Sequence, residues 1–535
     1  MSFISELLTN LQKRLILALC MGLLLTITAP YIGFGVYAWI GLVPLFLLVR
    51  SSMNYKTASL EALIFLLAYN LSFFIWIFGV HPLTWMHISN NQSLVITFLI
   101  WSLTALLHSV ILIPVILLSK FFFQKNNSVQ LPIYFIALIA LAWVLITHTV
   151  ILNLEPNLAS IAVPLNELVY SQHAYKELIQ VCNIIGAIGL EFIIVFVNLL
   201  ILNSINEDLK TNKDLAAKYL GIVTVILIFI FSYGVFEIKK TQEERIVNKD
   251  RLKSFALIQA NYSLASKEIL VEDPMKAIQL QYQLSQQINN KVDFLFWAEG
   301  SVRMVNKAQL QSTIFRALAN KANVFVYGAP LFILDRAYNT VDFMEYRFTN
   351  QVATGFDLKH YYKVRLAPFG EYTPFYDFLP QGLKQVSDKT IGKNYIPSSP
   401  NQPVLVNGVK IASSLCSELL FPQILRDQVR GGAELMLNLN DLSWFRSPLS
   451  IFQSTIQSSK DELGEDMLKE LFLAIATFRA VENKRDLILS ANTGHSALIN
   501  PSGEIIVISR TNGSQVLQNS FLPSTEKALY TSYSW

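Results

Sequence analysis

Seven apolar runs follow one another through the first half of the chain, near residues 15 to 32, 35 to 49, 58 to 80, 94 to 119, 131 to 152, 183 to 204 and 219 to 237. A helix crosses a bilayer with roughly 20 predominantly apolar residues, and these runs have that scale. Only 15% of the residues are charged, where ordinary globular domains carry about 25%. The long runs cease after residue 238, and 241 to 535 reads as a water-facing domain. The expected architecture is a transmembrane domain of about seven helices over 1–240 and a separate water-facing domain over 241–535. Lys13 and Arg14 precede the first run, but no small-x-small cleavage site follows it, so this run is expected to stay as an anchor.

Charge reports topology here. Lys and Arg favour short cytoplasmic loops, and they fall at Lys13 and Arg14, at Arg50 and Lys56, at Lys120 and Lys125, and at Lys210, Lys213 and Lys218. These are alternate loops; the intervening ones hold only Lys176. The N-terminus is therefore expected inside, and an odd number of spans then delivers the C-terminal domain outside the cytoplasm. Glu61 and Glu191 are the ionisable residues within the runs, and an intramembrane charge is by default a functional candidate. Two are too few for a transport pathway and suit a docking platform. The loop over 153 to 181, with Glu155, Glu167 and His173, reads either as a surface-lying segment or as a plain connector.

The net charge of +4 is too small, and too evenly spread, for a nucleic-acid partner. Cys20, Cys182 and Cys416 are too far apart for a disulfide framework or a zinc quartet. HExxH, GxSxG and Walker motifs are absent, and Ile32 to Gly35 lacks the rest of a dinucleotide fingerprint. No metal and no cofactor are expected. The seven histidines are scattered, and His360 and His495 read as structural.

From Ser254 onward come short apolar or alternating runs: SFALIQANY, VDFLFWAEG, NVFVYGAP, EYRFTNQVA, IASSLCSELL, AELMLNLND, DLILSANTG, SALINPSG and EIIVISR. They read as strands. Helix-compatible stretches over 273 to 290, 309 to 322 and 461 to 483 lie between them, which argues a layered α/β or α+β domain. Three reactive side chains sit at or near strand-like runs: Glu299, Lys363 and Cys416. Singly, each has an ordinary reading as a surface carboxylate, a solvated lysine or a small buried hydrophobe.

Together they resemble the apolipoprotein N-acyltransferase family, in which several spans carry a nitrilase-superfamily domain with a Glu-Lys-Cys triad. The most specific match is KVRLAPFGEYTP, which places the triad lysine on Lys363 and a second carboxylate on Glu371. Trp297-Ala298-Glu299 stands for the family's Trp-Pro-Glu, and Cys416-Ser417-Glu418 for its Cys-Tyr-Glu. Its Arg-Ala-x-Glu and Asn-Thr-Gly-x-Ser segments match Arg479 to Glu482 and Asn492 to Ser496. The VYSQ segment before the sixth run belongs to the same resemblance, which spans almost the whole chain.

The resemblance implies an α-β-β-α nitrilase-like catalytic domain on the periplasmic side of a bacterial inner membrane, with Glu299, Lys363 and Cys416 catalytic. Glu371, Glu418, Ser417 and Trp444 are expected to support the site or the substrates. The implied reaction moves an acyl chain from a phospholipid, with phosphatidylethanolamine suggested, through a Cys416 thioester to the N-terminal diacylglyceryl-cysteine of an apolipoprotein. A monomer is expected. Several positions depart from the family. Ala298 and Ser417 replace a proline and a tyrosine, Phe472 stands in place of a histidine, and the Asn440-Asp441 pair is displaced by one residue relative to Trp444. Further residues fill 447 to 469, and the family's last spanning helix has no counterpart after ALYTSYSW.

Given the triad that the resemblance implies, its chemistry follows from ordinary reactivity. A thiol reacts as its thiolate, so a carboxylate that takes its proton and an ammonium that steadies an oxyanion would activate it. An α-amino group, with a reference pKa of about 7.7 to 8.0, keeps a neutral nucleophilic fraction. Transfer to it in competition with water requires a dry site, which gives a reason to join this domain to membrane spans. Two other readings use the same residues differently: a membrane-tethered amidase with water as acceptor, and a non-catalytic lipoprotein-binding or sorting protein.

Overall fold

A computed structural model describes residues 10–83, 89–125, 131–150, 165–205, 213–262, 274–302, 315–334, 336–368, 370–373, 375–390, 395–400, 402–443, 445, 463–510 and 513–532. The chain divides into two units. One comprises Met1–Phe78 with Asn91–Phe236, and the other Gly79–Asn90 with Glu237–Trp535.

The second unit is built on two six-stranded sheets, ordered β12-β1-β2-β3-β4-β5 and β11-β10-β9-β8-β7-β6. The first joins β1 (Lys253–Gln259), β2 (Val292–Trp297), β3 (Ala322–Ile333), β4 (Arg336–Thr349), β5 (Val352–Tyr362) and β12 (Gln515–Phe521). The second joins β6 (Val404–Val406), β7 (Val409–Leu415), β8 (Leu435–Asn440), β9 (Leu487–Ala491), β10 (Ala497–Ile499) and β11 (Ile505–Ile508). Side chains alternate across a strand, and β2 uses both faces. Phe294 and Phe296 enter a core shared with Leu415, Leu437, Leu439 and Ile488 of the other sheet. Leu295 and Trp297 point the other way, onto Ile278 and Leu284 of the helix Pro274–Gln286. The second sheet is covered in turn by the helices Pro422–Arg430 and Leu463–Asn483, giving an α-β-β-α sandwich. Strands covered on both faces read as continuous apolar runs, and for that reason VDFLFW and LMLNLN were visible in the sequence.

The structure corrects several element boundaries. EYRFTNQVA is not one strand but the end of β4, a turn and the start of β5. Asn350 and Gln351 both take positive φ, 50° and 65°, as the two central residues of a type I′ hairpin turn must, and Thr349 pairs with Val352 across it. β6 and β12 had no clear sequence signal. The expected helix over 461 to 483 is Leu463–Asn483, and that over 273 to 290 is Pro274–Gln286.

Among the described residues, five helices are long and apolar enough to cross a membrane: Leu11–Thr28, Tyr55–Val80, Asn90–Lys125, Cys182–Ser204 and Ala216–Val247. Shorter apolar helices, Gly35–Ser51 and Ile133–His148, occupy the second and fifth expected positions. Val225, Phe229 and Phe236 fall on one stripe of the last helix and are 67%, 64% and 62% exposed, a face suited to lipid. Glu61 is fully buried. It accepts from Arg14 Nη2 at 2.8 Å and from Ser52 Oγ at 2.6 Å, and the Lys120 ammonium donates to the Ser52 carbonyl. Glu191 accepts from the Val169 N–H at 2.7 Å, so it pins the VYSQ turn. Gln172 of that turn donates to the Gly35 carbonyl at 2.7 Å and accepts from Trp39 Nε1 at 2.9 Å. Both intramembrane carboxylates therefore have structural work. Residues 151 to 164 of the long loop lie outside the described residues.

Helices in lipid pack closely where small residues let backbones meet. A Cβ added at Gly22 would stand 2.1 Å from the Phe65 carbonyl oxygen. Gly22→Leu is therefore expected to destabilise the detergent-solubilised protein by about 1–3 kcal/mol through overpacking. Leu19→Ala, on the exposed side of the same helix, should shift the melting midpoint much less, and equal shifts would argue against this packing.

Candidate active site

Strand direction brings the three reactive groups to one region. β2 and β3 are parallel, and two antiparallel steps through β4 return β5 to the same direction. The residues after β2 and β5 therefore leave at the same end of the sheet: Glu299 follows Trp297 and Ala298, and Lys363 follows Tyr362. In the facing sheet, Cys416 follows β7. It takes φ +47°, a left-handed conformation that is uncommon and costly for a residue with a side chain. The strand thus ends in an abrupt turn, Cys416–Leu420, with the thiol residue at its tip.

The Lys363 ammonium is the centre of the cluster. It is buried and lies 3.0 Å from Glu371 Oε1 and 3.4 Å from Glu299 Oε1. Asn339, near the start of the antiparallel β4 and so at the same end, donates its amide to both carboxylates, at 3.0 Å for Glu299. Glu371 also accepts from the Ala367 N–H at 2.6 Å, which closes the Pro-Phe-Gly-Glu turn onto itself. Gly328 of β3 passes close beside Glu299, and a Cβ there would lie 2.6 Å from the Glu299 Cα.

Glu418 is fully buried and accepts from four donors: the N–H groups of Val364, Arg365 and Leu415 at 2.6, 2.9 and 2.8 Å, and the Tyr361 hydroxyl at 2.9 Å. It therefore clamps the Lys363 loop to the strand end that carries Cys416. The Arg479-to-Glu482 segment supports the same turn from behind, because Arg479 Nε donates to the Leu419 carbonyl at 3.1 Å while its guanidinium pairs with Glu482. Asn438 donates to the Cys416 carbonyl at 3.3 Å. Ser417 is the partly exposed residue directly after the thiol. Trp444 lies outside the described residues.

The departures from the family pattern resolve into particular contacts. Asp441, displaced in sequence from its tryptophan, still reaches the site: it accepts from the Asn492 amide and the Ser443 N–H, both at 3.1 Å. Ala298 keeps its carbonyl engaged by the Ser301 hydroxyl at 2.7 Å. Phe472 is buried in its helix. His360 pairs with Asp342 at 2.8 Å and His495 with Glu470 at 3.0 Å. Asn339, Asn438 and Tyr361 were not singled out from sequence; single amides and a phenol on strands carry no spacing signal.

The electrostatics follow from burial and these neighbours. Burial pushes the Cys416 thiol well above its ordinary value and Glu299 pushes the same way, while the Lys363 ammonium and a hydrogen bond with the Asp441 backbone pull down. Burial also raises the Glu299 carboxyl, opposed by Lys363 and the Asn339 amide and reinforced by Glu371. For Lys363, burial works to lower the ammonium, but Glu371 and Glu299 outweigh it and hold the group above the usual lysine range. Glu418 is pushed up to about 7 by burial, against Lys363 and the three backbone N–H donors. The resting arrangement is a protonated thiol, a permanent ammonium and a carboxylate with raised proton affinity. Such a set can activate the thiol at a carbonyl carbon, hold the resulting oxyanion and carry an acyl group as thioester. Among the described residues no cluster of His, Cys, Asp and Glu is suited to a metal ion.

Comparison with known proteins agrees in both halves. Residues 21–200 match the apolipoprotein N-acyltransferase N-terminal domain, and residues 256–524 match the carbon-nitrogen hydrolase domain. The chain is similar to the apolipoprotein N-acyltransferase of Geobacter metallireducens, at 25% identity over 64% of this chain and 61% of that protein. It is also similar to the one from Borreliella burgdorferi, at 22% identity over 92% of this chain and 86% of that protein, and to the one from Rhizobium leguminosarum bv. trifolii, at 25% over 68% and 63%. The matches thus span under two thirds of the Geobacter and Rhizobium proteins. Among solved structures it resembles Saccharomyces cerevisiae Nit3, of the nitrilase superfamily, at 15% identity over 53% of this chain and 93% of that one, with a TM-score of 0.32.

The charge balance at the thiol is open to measurement. Lys363→Met removes the charge that most lowers the Cys416 proton affinity, so alkylation of Cys416 by iodoacetamide at pH 8 should slow at least about tenfold, an opposite charge being worth about 1–3 pKa units at close range. Faster alkylation in that variant would contradict the arrangement.

Proposed function

The chain belongs to the carbon-nitrogen hydrolase family, whose domain fills half of it, and from that premise we propose that it is an apolipoprotein N-acyltransferase. It takes an acyl chain from a phospholipid and places it on the α-amino group of the N-terminal diacylglyceryl-cysteine of a bacterial apolipoprotein. The observation that carries this reading is one chain holding both the N-terminal domain of that family and a clustered thiol, ammonium and carboxylate.

In the first half-reaction the Cys416 Sγ attacks the ester carbonyl carbon as Glu299 takes the thiol proton. The tetrahedral oxyanion gains the Lys363 ammonium as its counter-charge. Its collapse breaks the C–O bond, the leaving alkoxide recovers the proton from Glu299, and a lysophospholipid departs with Cys416 left as a thioester. In the second, the neutral amine attacks the thioester carbonyl, Glu299 accepts an amine proton, and collapse breaks the C–S bond to give the amide and return the proton to the thiol. Glu371 and Asn339 hold Lys363 and Glu299 in register, and Glu418 fixes the nucleophile turn. Ping-pong kinetics follow from the covalent carrier.

Location follows from the same reading. Lys and Arg in alternate loops support a cytoplasmic N-terminus, with the catalytic unit on the periplasmic face of the inner membrane. There the outer leaflet supplies the donor, for which phosphatidylethanolamine is the proposed species. One chain holds every group the two half-reactions use, which supports a monomer as the working form.

The test is the intact mass of the purified protein after incubation with phosphatidylethanolamine alone. A hydroxylamine-labile increment of acyl size on the wild type, absent from Cys416→Ala, is expected, and no increment on wild type would remove the central step. Glu299→Gln should slow adduct formation by about 10²–10⁴-fold, the usual range for a general base. Because the base works deprotonated and burial raises its pKa, the rate should fall as pH drops through a value above the ordinary glutamate figure of about 4.3.

A further inference from the structure

Arg365 stands two residues beyond Lys363, and its place is set from two sides. Its backbone N–H donates to Oε1 of Glu418 at 2.9 Å while the Leu415 N–H donates to Oε2 of the same carboxylate at 2.8 Å. One buried side chain therefore joins the Arg365 backbone to the residue before the nucleophile. Its guanidinium lies over the Phe421 ring at 4.3 Å, and Phe421 closes the turn that begins at Cys416. Stacking on an aromatic face uses the plane of a guanidinium and keeps its N–H donors in that plane, where their fork matches carboxylate and phosphate oxygens. The residue is only partly exposed, which weakens the screening of its charge. Tyr372 and Glu418 are among the ionisable groups that act on it.

The proposed chemistry has room for a second cation. Lys363 is committed between two carboxylates and faces the oxyanion. A phospholipid donor brings another negative charge, the phosphate of its headgroup, a few bonds from the ester carbonyl. The diacylglyceryl-cysteine acceptor has no phosphate. We propose that Arg365 receives the headgroup phosphate of the acyl donor, so that it acts in the acylation of Cys416 and not in transfer to the amine. This rests on the acyltransferase reading above.

The experiment compares the wild type, Arg365→Gln and Arg365→Lys as full chains in mixed micelles, with two acyl donors. Phosphatidylglycerol carries the phosphate; p-nitrophenyl palmitate is an activated ester without one. With Arg365→Gln, kcat/KM for Cys416 acylation by phosphatidylglycerol should fall about tenfold or more, chiefly through KM, as expected for losing charge-assisted hydrogen bonds. Arg365→Lys should recover part of the loss. The p-nitrophenolate burst, and transfer of the resulting acyl group to a diacylglyceryl-cysteine peptide, should stay within about twofold of wild type, with the factor set by ordinary mutational scatter. Equal losses with both donors would mean that Arg365 only holds the turn in place, and an unchanged phosphatidylglycerol reaction would mean that the phosphate goes elsewhere; either overturns the proposal. A wild type that gives the burst but no adduct from either phosphatidylglycerol or phosphatidylethanolamine would overturn the phospholipid reading as well.

Discussion

The candidate site of the second unit depends on one buried ammonium. Lys363 is out of water, and such a charge is tolerated only with close, hydrogen-bonded counter-charges. Glu371 and Glu299 provide them, Asn339 ties those two carboxylates together, and Glu418 adds to the field. Removing one partner would leave an uncompensated buried charge, so the cluster stands or falls as a set. Burial and charge divide the chemistry between them: the carboxylates keep the ammonium charged against burial, while burial draws the Glu299 carboxyl toward neutrality and raises the thiol, with Lys363 opposing both.

The two sheets turn that electrostatic need into geometry. Glu299 and Lys363 come from the first sheet and Cys416 from the second, so the site is only as well defined as the packing of Phe294 and Phe296 against Leu415, Leu437 and Leu439. Glu418 completes the join by accepting from backbone on both sides. Arg479, reaching the Leu419 carbonyl from a helix on the far layer, shows the outer layer also serving the turn. Backbone strain at Cys416 is held by these contacts, in keeping with the tendency of left-handed side-chain residues to gather at functional sites.

The first unit solves a different problem with the same rule. In lipid, buried charge and backbone ends must be satisfied internally. Glu61 pairs with Arg14, Glu191 caps a turn and Gln172 bridges Gly35 and Trp39. The intramembrane carboxylates that looked like functional candidates are absorbed in holding helices together. Glu299, Lys363 and Cys416 all lie in the second unit.

What could be read in the sequence was whatever repeats or clusters locally. Apolar runs marked the spans, because lipid demands length. Double-faced burial marked β2 and β8 as strongly apolar stretches. The spacing within KVRLAPFGEYTP marked Lys363 and Glu371, because that turn closes on itself. What needed tertiary structure was everything set by a partner far along the chain. Asn339 meets Glu299 across 40 positions, Glu418 meets Val364 across 54, and Glu191, an intramembrane functional candidate by sequence, meets the Val169 N–H. A sequence shows the period of burial and the chemistry of each side chain. Only the paired sheets decide which charges share one dry site, because pairing distant strands is a property of the whole core and not of any segment.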